Sequence, residues 1–211
     1  PIKTTIIDKV EAHDIIAVLS QRLVDKFNST VFVVSSDKDF VQLITDKIIL
    51  YRPIEKEYYT PETVKDNFGV LAENFIIYKT LLGDNSDKIP GVKGLGEKGI
   101  FKKFPELAER KVTMEEVFDI SARKYKEHVV YSRIVQDRTK LENSFKIMDL
   151  SIPFLDDEQK EYIEWVIDQD LPEFHPKLFI QIYNEDKLGG MIRNLDIWLD
   201  NNFTQFKGYK N

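Results

Sequence analysis

The sequence predicts an α/β layer followed by a helical region. Three observations carry this. Residues 8–82 alternate helical and extended patterns in the order helix, strand, helix, strand. The run Val31-Phe32-Val33-Val34 is short, continuous and apolar, as in a buried parallel strand. The glycine-punctuated string Gly91-Val92-Lys93-Gly94-Leu95-Gly96 then closes the layer, and the chain beyond it has helical spacing.

In order along the chain, Asp8 and Glu11 read as a capping box. It opens a helix through Ile15, Ile16, Leu19 and Leu23 that Asn28-Ser29 breaks. The apolar strand leads into Ser35-Ser36-Asp37, and residues 39–43 start a helical turn. Residues 47–51 form a second strand, ended by Pro53. Thr60-Pro61-Glu62 is a strong helix start, with proline at the first helical position. Residues 70–82 read as another helix. Past the glycines, a short helix begins at Gly99 and Pro105 limits it. Residues 113–140 read as two helices, with Arg123-Lys124-Tyr125-Lys126 on an exposed face. After Pro153 the chain is acidic and helical, then aromatic and irregular. Domain boundaries are expected near 75 and 150, giving segments 1–75, 76–150 and 151–211. Tyr58, Tyr59, Tyr78, Phe101 and Phe104 are read as core residues, and Trp165 and Trp198 as anchors of the C-terminal helices.

Composition narrows the chemistry. There are no cysteines, which excludes disulfides and thiolate metal sites. Three histidines (His13, His128, His175) include no pair at helix-face spacing, so a histidine-based zinc centre is not expected. Any metal would be held mainly by Asp and Glu oxygens, which favours Mg²⁺ or Mn²⁺. No apolar run is long enough to span a membrane and no secretory pattern opens the chain, so a cytoplasmic location is expected. The net charge of −6 is unevenly spread. Residues 151–175 carry eight acids against the single base Lys160, leaving the remainder at +1. Residues 88–103 carry five lysines against Glu97, a basic strip of the kind on which phosphates dock.

Acidic residues gather in three places. Glu11 and Asp14, three apart at a helix start, would share one face. Asp37 and Asp39 follow the apolar strand, and ligands of α/β sheets collect at strand C-terminal ends. Asp84 and Asp87 are again three apart. Each pair also has a purely structural reading: Glu11 in the capping box, Asp37 as a helix N-cap, Asp84 and Asp87 as turn residues. If the three pairs converge, so many like charges cannot all ionise without cations among them. Two divalent ions about 3.5–4 Å apart are the arrangement that hydrolyses phosphodiesters. In the glycine-rich string the backbone must turn sharply and a ligand can approach closely. The following helix would offer N–H groups to a phosphate, with Lys93 and Lys98 adding point charges.

These residues give the chain a resemblance to the 5′-nuclease family. That family comprises flap endonucleases, phage 5′-3′ exonucleases also called phage ribonuclease H, and the 5′-nuclease domains of bacterial DNA polymerases. Val10-Glu11-Ala12-His13-Asp14 looks like the family's V-E-A-D-D. Ser35-Ser36-Asp37-Lys38-Asp39-Phe40 looks like its S/T-x-D-x-D strand end. Residues 83–96 look like its G-D-x-x-D-N-I-x-G-V-x-G-I-G signature, and order and spacing agree over residues 5–145. The resemblance implies the C-terminal part of a PIN-like α/β domain followed by a helical helix–three-turn–helix DNA-binding region. It implies a structure-specific 5′-nuclease that acts in replication or repair, removes flaps or RNA primers, and uses two Mg²⁺ ions for which Mn²⁺ can substitute. Glu11 and Asp14 would belong to the first metal site, and Asp37, Asp39, Asp84 and Asp87 to the second. Glu11, Asp14, Asp37, Asp39 and Asp84 would be catalytic. Gly91, Val92, Lys93, Gly94, Leu95, Gly96 and Lys98 would bind nucleic acid, with K⁺ at the hairpin. The implied partner is branched or nicked duplex DNA or RNA:DNA, in a bacterium or a phage-infected host cell.

Two departures stand out. His13 occupies a position where the family has a carboxylate, and imidazole suits Mn²⁺ or Zn²⁺ better than Mg²⁺. Only ten residues precede Glu11, where family members have a long N-terminal portion. The expectation is a fragment, a split gene product or a processed chain, catalytically weak alone, binding duplex, and completed by a companion chain. Rival readings are a non-catalytic DNA-binding module with a decayed metal site, and an α/β signalling domain with Asp37 as phospho-acceptor.

Overall fold

The computed structural model describes residues 2–172 and 174–203. Chain contacts divide it into two compact units, residues 9–160 and residues 1–8 with 161–211. Among the described residues no helix is long and apolar enough to cross a membrane.

The larger unit opens with α1 (Ala12–Phe27), which ends at Asn28 in the left-handed conformation, its N–H bonded to the Val24 carbonyl. The expected Asp8–Glu11 capping box does not form. Glu11 is itself the extended N-cap residue and makes no side-chain cap bond. Strand β1 (Val31–Val34) pairs parallel with β2 (Ile48–Arg52), and β2 pairs antiparallel with β3 (Glu57–Tyr59). Strand β1 is parallel as expected but covered on one face only: Val33 is buried, whereas Phe32 and Val34 are 54% and 64% exposed. Strand β3 was not legible in the sequence, and its Tyr58 stands in solvent against Phe32 and Tyr51 rather than in the core. A 3₁₀ turn, Lys38–Leu43, links β1 to β2.

Helix α2 (Pro61–Phe68) starts where Thr60 and Thr63 bond each other's backbone reciprocally. The expected helix over 70–82 is a 3₁₀ turn, Ala72–Asn74, leading into α3 (Phe75–Leu82), of which every residue but Leu82 is buried. The hairpin that follows is built from β4 (Gly83–Asp84) and β5 (Ile89–Pro90), paired antiparallel. Helix α4 (Glu97–Lys103) begins two residues earlier than expected. Where two helices were expected over 113–140, residues 114–148 form three, α5 (Met114–Arg123), α6 (Val129–Gln136) and α7 (Arg138–Met148). A Thr113–Glu116 capping box starts α5, and the His128 imidazole accepts the Val130 N–H at the start of α6. One apolar core runs from Ala17 through Leu50, Leu81, Ile100 and Ile134 to Leu150, and Tyr59, Tyr78 and Phe104 belong to it.

Helix α8 (Asp157–Asp168) leads into the smaller unit, which holds α9 (Pro176–Glu185) and α10 (Leu195–Phe203). Lys3 donates to the Val166 and Ile167 carbonyls at 3.0 and 3.1 Å, closing the C-terminal end of α8. Trp198 packs against Phe179 and Phe203 as an anchor. Trp165 does not: it is 56% exposed and stacks on Tyr162.

Asn74 is fully buried and binds three main-chain groups. It donates to Leu107 O at 2.9 Å and Arg110 O at 2.6 Å, and accepts from Val112 N at 2.9 Å. Removing it orphans the Arg110 carbonyl and the Val112 N–H and leaves Leu107 O with the Leu71 N–H alone, so Asn74→Ala should lower the unfolding free energy by about 3 kcal/mol in urea titration.

Candidate metal centre and nucleic-acid interface

The site begins at the first turn of α1. His13 lies between two carboxylates, Nδ1 3.2 Å from Glu11 Oε1 and Nε2 3.0 Å from Asp37 Oδ2. Its ring stacks on Phe40 with centroids 4.9 Å apart. Asp37 is fixed by its own turn: its Oδ1 accepts the Asp39 N–H at 2.9 Å and its N–H donates to Ser35 Oγ at 3.1 Å. The S-S-D-K-D string is thus a self-bonded turn at the carboxyl end of β1. Burial alone would lower the His13 pKa, but the bond to Asp37 and its charge, then those of Glu11, outweigh burial and raise it. Asp37 shifts the other way: burial opposes its charge, while the Asp39 amide and His13 favour it more strongly, for a net lowering.

The other end of the site rests on two glycines. Gly83 has φ +85°, and a Cβ there would lie 2.2 Å from the Gly91 nitrogen. A Cβ on Gly91 would lie 2.1 Å from the Leu82 carbonyl oxygen. Only glycine at both positions lets β4 and β5 cross so closely. Asp84 leaves this crossing with Oδ1 accepting the Ser86 N–H at 2.8 Å and the Ser86 hydroxyl. Its Oδ2 lies 2.7 Å from the Lys79 ammonium, which also binds Asp39 Oδ1. Burial opposes the charge on Asp84, but Lys79 and Ser86 together hold it well below the usual carboxylate range. For Asp39 burial outweighs Lys79, and its pKa is raised.

Two candidate ligand groups result, each with its ligand atoms within 4.8 Å of one another: His13, Asp37 and Asp39, and Asp39, Asp84 and Asp87. Asp39 is common to both. The carboxylate donors fit a hard divalent cation, and the ammonium lodged between Asp39 and Asp84 shows that the pair requires positive charge. Glu11 reaches this string only through His13. Asp14 does not join it: the side chain is buried, accepts an N–H from Phe154, and has a pKa raised by that burial. Glu11 and Asp14 do not share a helix face, because the helix starts at Ala12 and Glu11 is extended. Lys79 was missed in the sequence, where its only signal was a lone lysine in an apolar helix five residues before Asp84.

The glycine string continues directly from this site. Val92 N bonds the Leu81 carbonyl at 2.9 Å, and Leu95 N bonds Val92 O at 3.0 Å around Gly94, whose φ of +80° suits the third position of a type II turn. Val92 and Leu95 turn their side chains into the core, so only their main chain faces outward, while Lys93, Gly94, Gly96 and Lys98 are exposed. Arg133 of α6, also missed, donates to the Lys93 carbonyl at 2.6 Å and braces the turn from behind. The Tyr78 hydroxyl bonds Glu97, tying α3 to the start of α4.

Residues 1–69 match the family described as 5′-3′ exonuclease, N-terminal resolvase-like domain. A 5′-3′ exonuclease of Buchnera aphidicola subsp. Schizaphis graminum is 32% identical over 155 residues, 72% of this chain and 54% of that one. DNA polymerase I of Bacillus subtilis is 39% identical over 125 residues, 57% of this chain and 14% of that one. The chain therefore spans about half, or much less, of the length of these relatives. A crystal structure of the bacteriophage T5 D15 flap endonuclease in a pseudo-enzyme–product complex with DNA and metal ions superposes with a TM-score of 0.63 at 21% identity, over 77% of this chain and 62% of that one. That likeness shows the fold alone, a mixed α/β layer with a helical C-terminal region like that of this neighbour.

Two outcomes are expected. In the metal-free protein His13 should titrate above its ordinary value of about 6.5 by NMR, and Asp37→Asn should bring it down. Because the folded pKa is raised, this group's stabilisation is complete below pH ~6.5 and lost as pH rises through the folded value. Gly91→Ala should destabilise the fold by more than about 2 kcal/mol on thermal melting, whereas Gly96→Ala, whose Cβ would meet nothing within 4 Å, should be close to neutral.

Proposed function

The chain belongs to the 5′-nuclease family, and from that membership we propose that it carries the metal-binding carboxylates and duplex-gripping hairpin of a structure-specific 5′-nuclease. The reaction is hydrolysis of phosphodiesters near the 5′ ends of flaps, nicks or RNA primers, in replication or repair. The observation that carries this reading is the unbroken string Glu11–His13–Asp37–Asp39–Lys79–Asp84, which runs into the Gly83–Gly91 crossing and so into the hairpin. A decayed metal site would have no reason to keep its carboxylates convergent.

Two divalent cations, Mg²⁺ with Mn²⁺ as substitute, would be held by the two groups, with Asp39 common to both. When bound, they supply a nucleophile at neutral pH and neutralise charge on the phosphodiester. The chain's own residues prepare that chemistry. Ser86 and the Asp39 amide orient Asp84 and Asp37 through fixed bonds. His13 makes one end of the site better suited to Mn²⁺ than to Mg²⁺. Lys93, Lys98 and the exposed main chain of Gly94 and Gly96 meet the phosphates of the duplex, with K⁺ at the hairpin as the resemblance implies. Branched or nicked DNA or RNA:DNA is the substrate, and the cytoplasm of a bacterium or phage-infected cell is the setting.

The test uses a labelled 5′-flap duplex with this chain and its His13→Asp variant in Mg²⁺ and in Mn²⁺. Binding should weaken with salt, and Lys93→Ala or Lys98→Ala should each flatten the log–log salt slope by about one. His13→Asp should cut faster in Mg²⁺ than the parent. If neither protein binds or cuts the duplex, the reading fails.

A further inference from the structure

Lys79 stands out from every other lysine described. It lies on a helix whose other buried members are Phe75, Ile76, Ile77, Tyr78, Thr80 and Leu81, and it is itself only 8% exposed. Lysines normally extend their ammonium into water. This one ends between Asp39 and Asp84, whose side chains are themselves 19% and 13% exposed. The same two carboxylates, with Asp87, make up the second candidate ligand group. One pair of acids therefore has two claimants, an ammonium belonging to the chain and a divalent cation from solution.

Both cannot occupy the pair at once. An ammonium in contact with both carboxylates takes the oxygens that a cation would need, and at contact distance in a partly buried site the two positive charges repel strongly. Empty of either, Asp39 and Asp84 would face each other as partly buried like charges, which is unfavourable until one is protonated or a cation arrives. The other group, His13, Asp37 and Asp39, meets that ammonium in contact at one ligand only, the shared Asp39. Its built-in compensation is the imidazole, itself a metal ligand once neutral.

We propose that Lys79 is an exchangeable internal countercation. It holds Asp39 and Asp84 in register while the site is metal-free, and it must withdraw before a divalent ion enters the Asp39–Asp84–Asp87 group. The two cation sites are consequently unequal: the His13 end fills first, and the Asp84 end fills at higher concentration because it must displace a charge. Lys79 is a positioning residue that sets the divalent-ion concentration at which the centre becomes complete. The inference rests on the metal-binding reading above.

The test is Mn²⁺ binding, followed by the electron paramagnetic resonance signal of free Mn²⁺, for the full chain and its Lys79→Met and Lys79→Gln variants, with thermal melts in the same samples. Lys79→Gln keeps a hydrogen-bonding head in the pocket should Lys79→Met not fold. The parent should bind one ion more tightly than a second. Each variant should bind the weaker ion about tenfold or more tightly. It should melt lower than the parent without metal and gain more on adding Mn²⁺. Lys79→Arg, which keeps the charge, should behave like the parent. A parent that binds two ions, beside neutral variants whose weaker affinity is unchanged or lost, overturns the role of Lys79 alone. A parent that binds no Mn²⁺ overturns the metal-binding reading and this inference together.

Discussion

Negative charge is the constraint around which residues 9–160 are arranged. Asp37, Asp39, Asp84 and Asp87 come from a strand end, a 3₁₀ turn and a hairpin, and they fall in two groups that share Asp39, each with ligand atoms within 4.8 Å of one another. Such a meeting is unfavourable unless positive groups are interposed. The fold supplies two from different helices, His13 from the first turn of α1 and Lys79 from the last turn of α3. Docking α1 on the sheet and α3 on the Lys38–Leu43 turn is therefore also the step that assembles the site. The apolar core under α3, with Ile77 and Leu81 almost completely buried, supplies the free energy that carries an ammonium to so dry a position.

The same helix end sets the distance between the carboxylates and the glycine turn. Lys79 points into the acidic site, the Leu81 carbonyl accepts the Val92 N–H, and Tyr78 bonds Glu97 at the start of α4. The Gly83–Gly91 crossing leaves no room for slack between these points. The distance from the carboxylates to the glycine turn is thus built from one helical turn and one main-chain crossing. A flexible linker in the same place would leave that distance unset.

The residues that were legible in the sequence were those whose roles are local. Asp37 as the cap of a turn, Pro61 at a helix start, and the glycines of the 83–96 string announce themselves by type and spacing. The carboxylates were legible as candidates, since acids at a strand end and in a turn have few shared uses. What was not legible depended on distant contacts. Lys79 reads as an ordinary helical lysine until Asp39, forty residues away, is brought to it. Asn74 reads as one more position of the helix expected over 70–82 until the main chain at 107–112 wraps around it. The Asp8–Glu11 capping box had the right spacing, but the helix begins one residue beyond Glu11, and that register also separates Glu11 from Asp14. Strand β3 is three residues long and exposed over two of them, so it carries no alternation to read.

The centre is asymmetric in its chemistry as well as its burial. One end offers an imidazole and a carboxylate held low by hydrogen bonds, and it lies near the surface, where Glu11 is largely exposed. The other end offers only carboxylates, one of them raised by burial and one held low by an ammonium. Imidazole prefers softer divalent ions than carboxylate does. An ion that prefers nitrogen gains at the first end and not at the second, so the two ends cannot be matched equally well by one metal. Asp39, the single ligand common to both groups, is where that mismatch is felt, because its charge answers at once to His13's neighbour Asp37, to Lys79 and to Asp84.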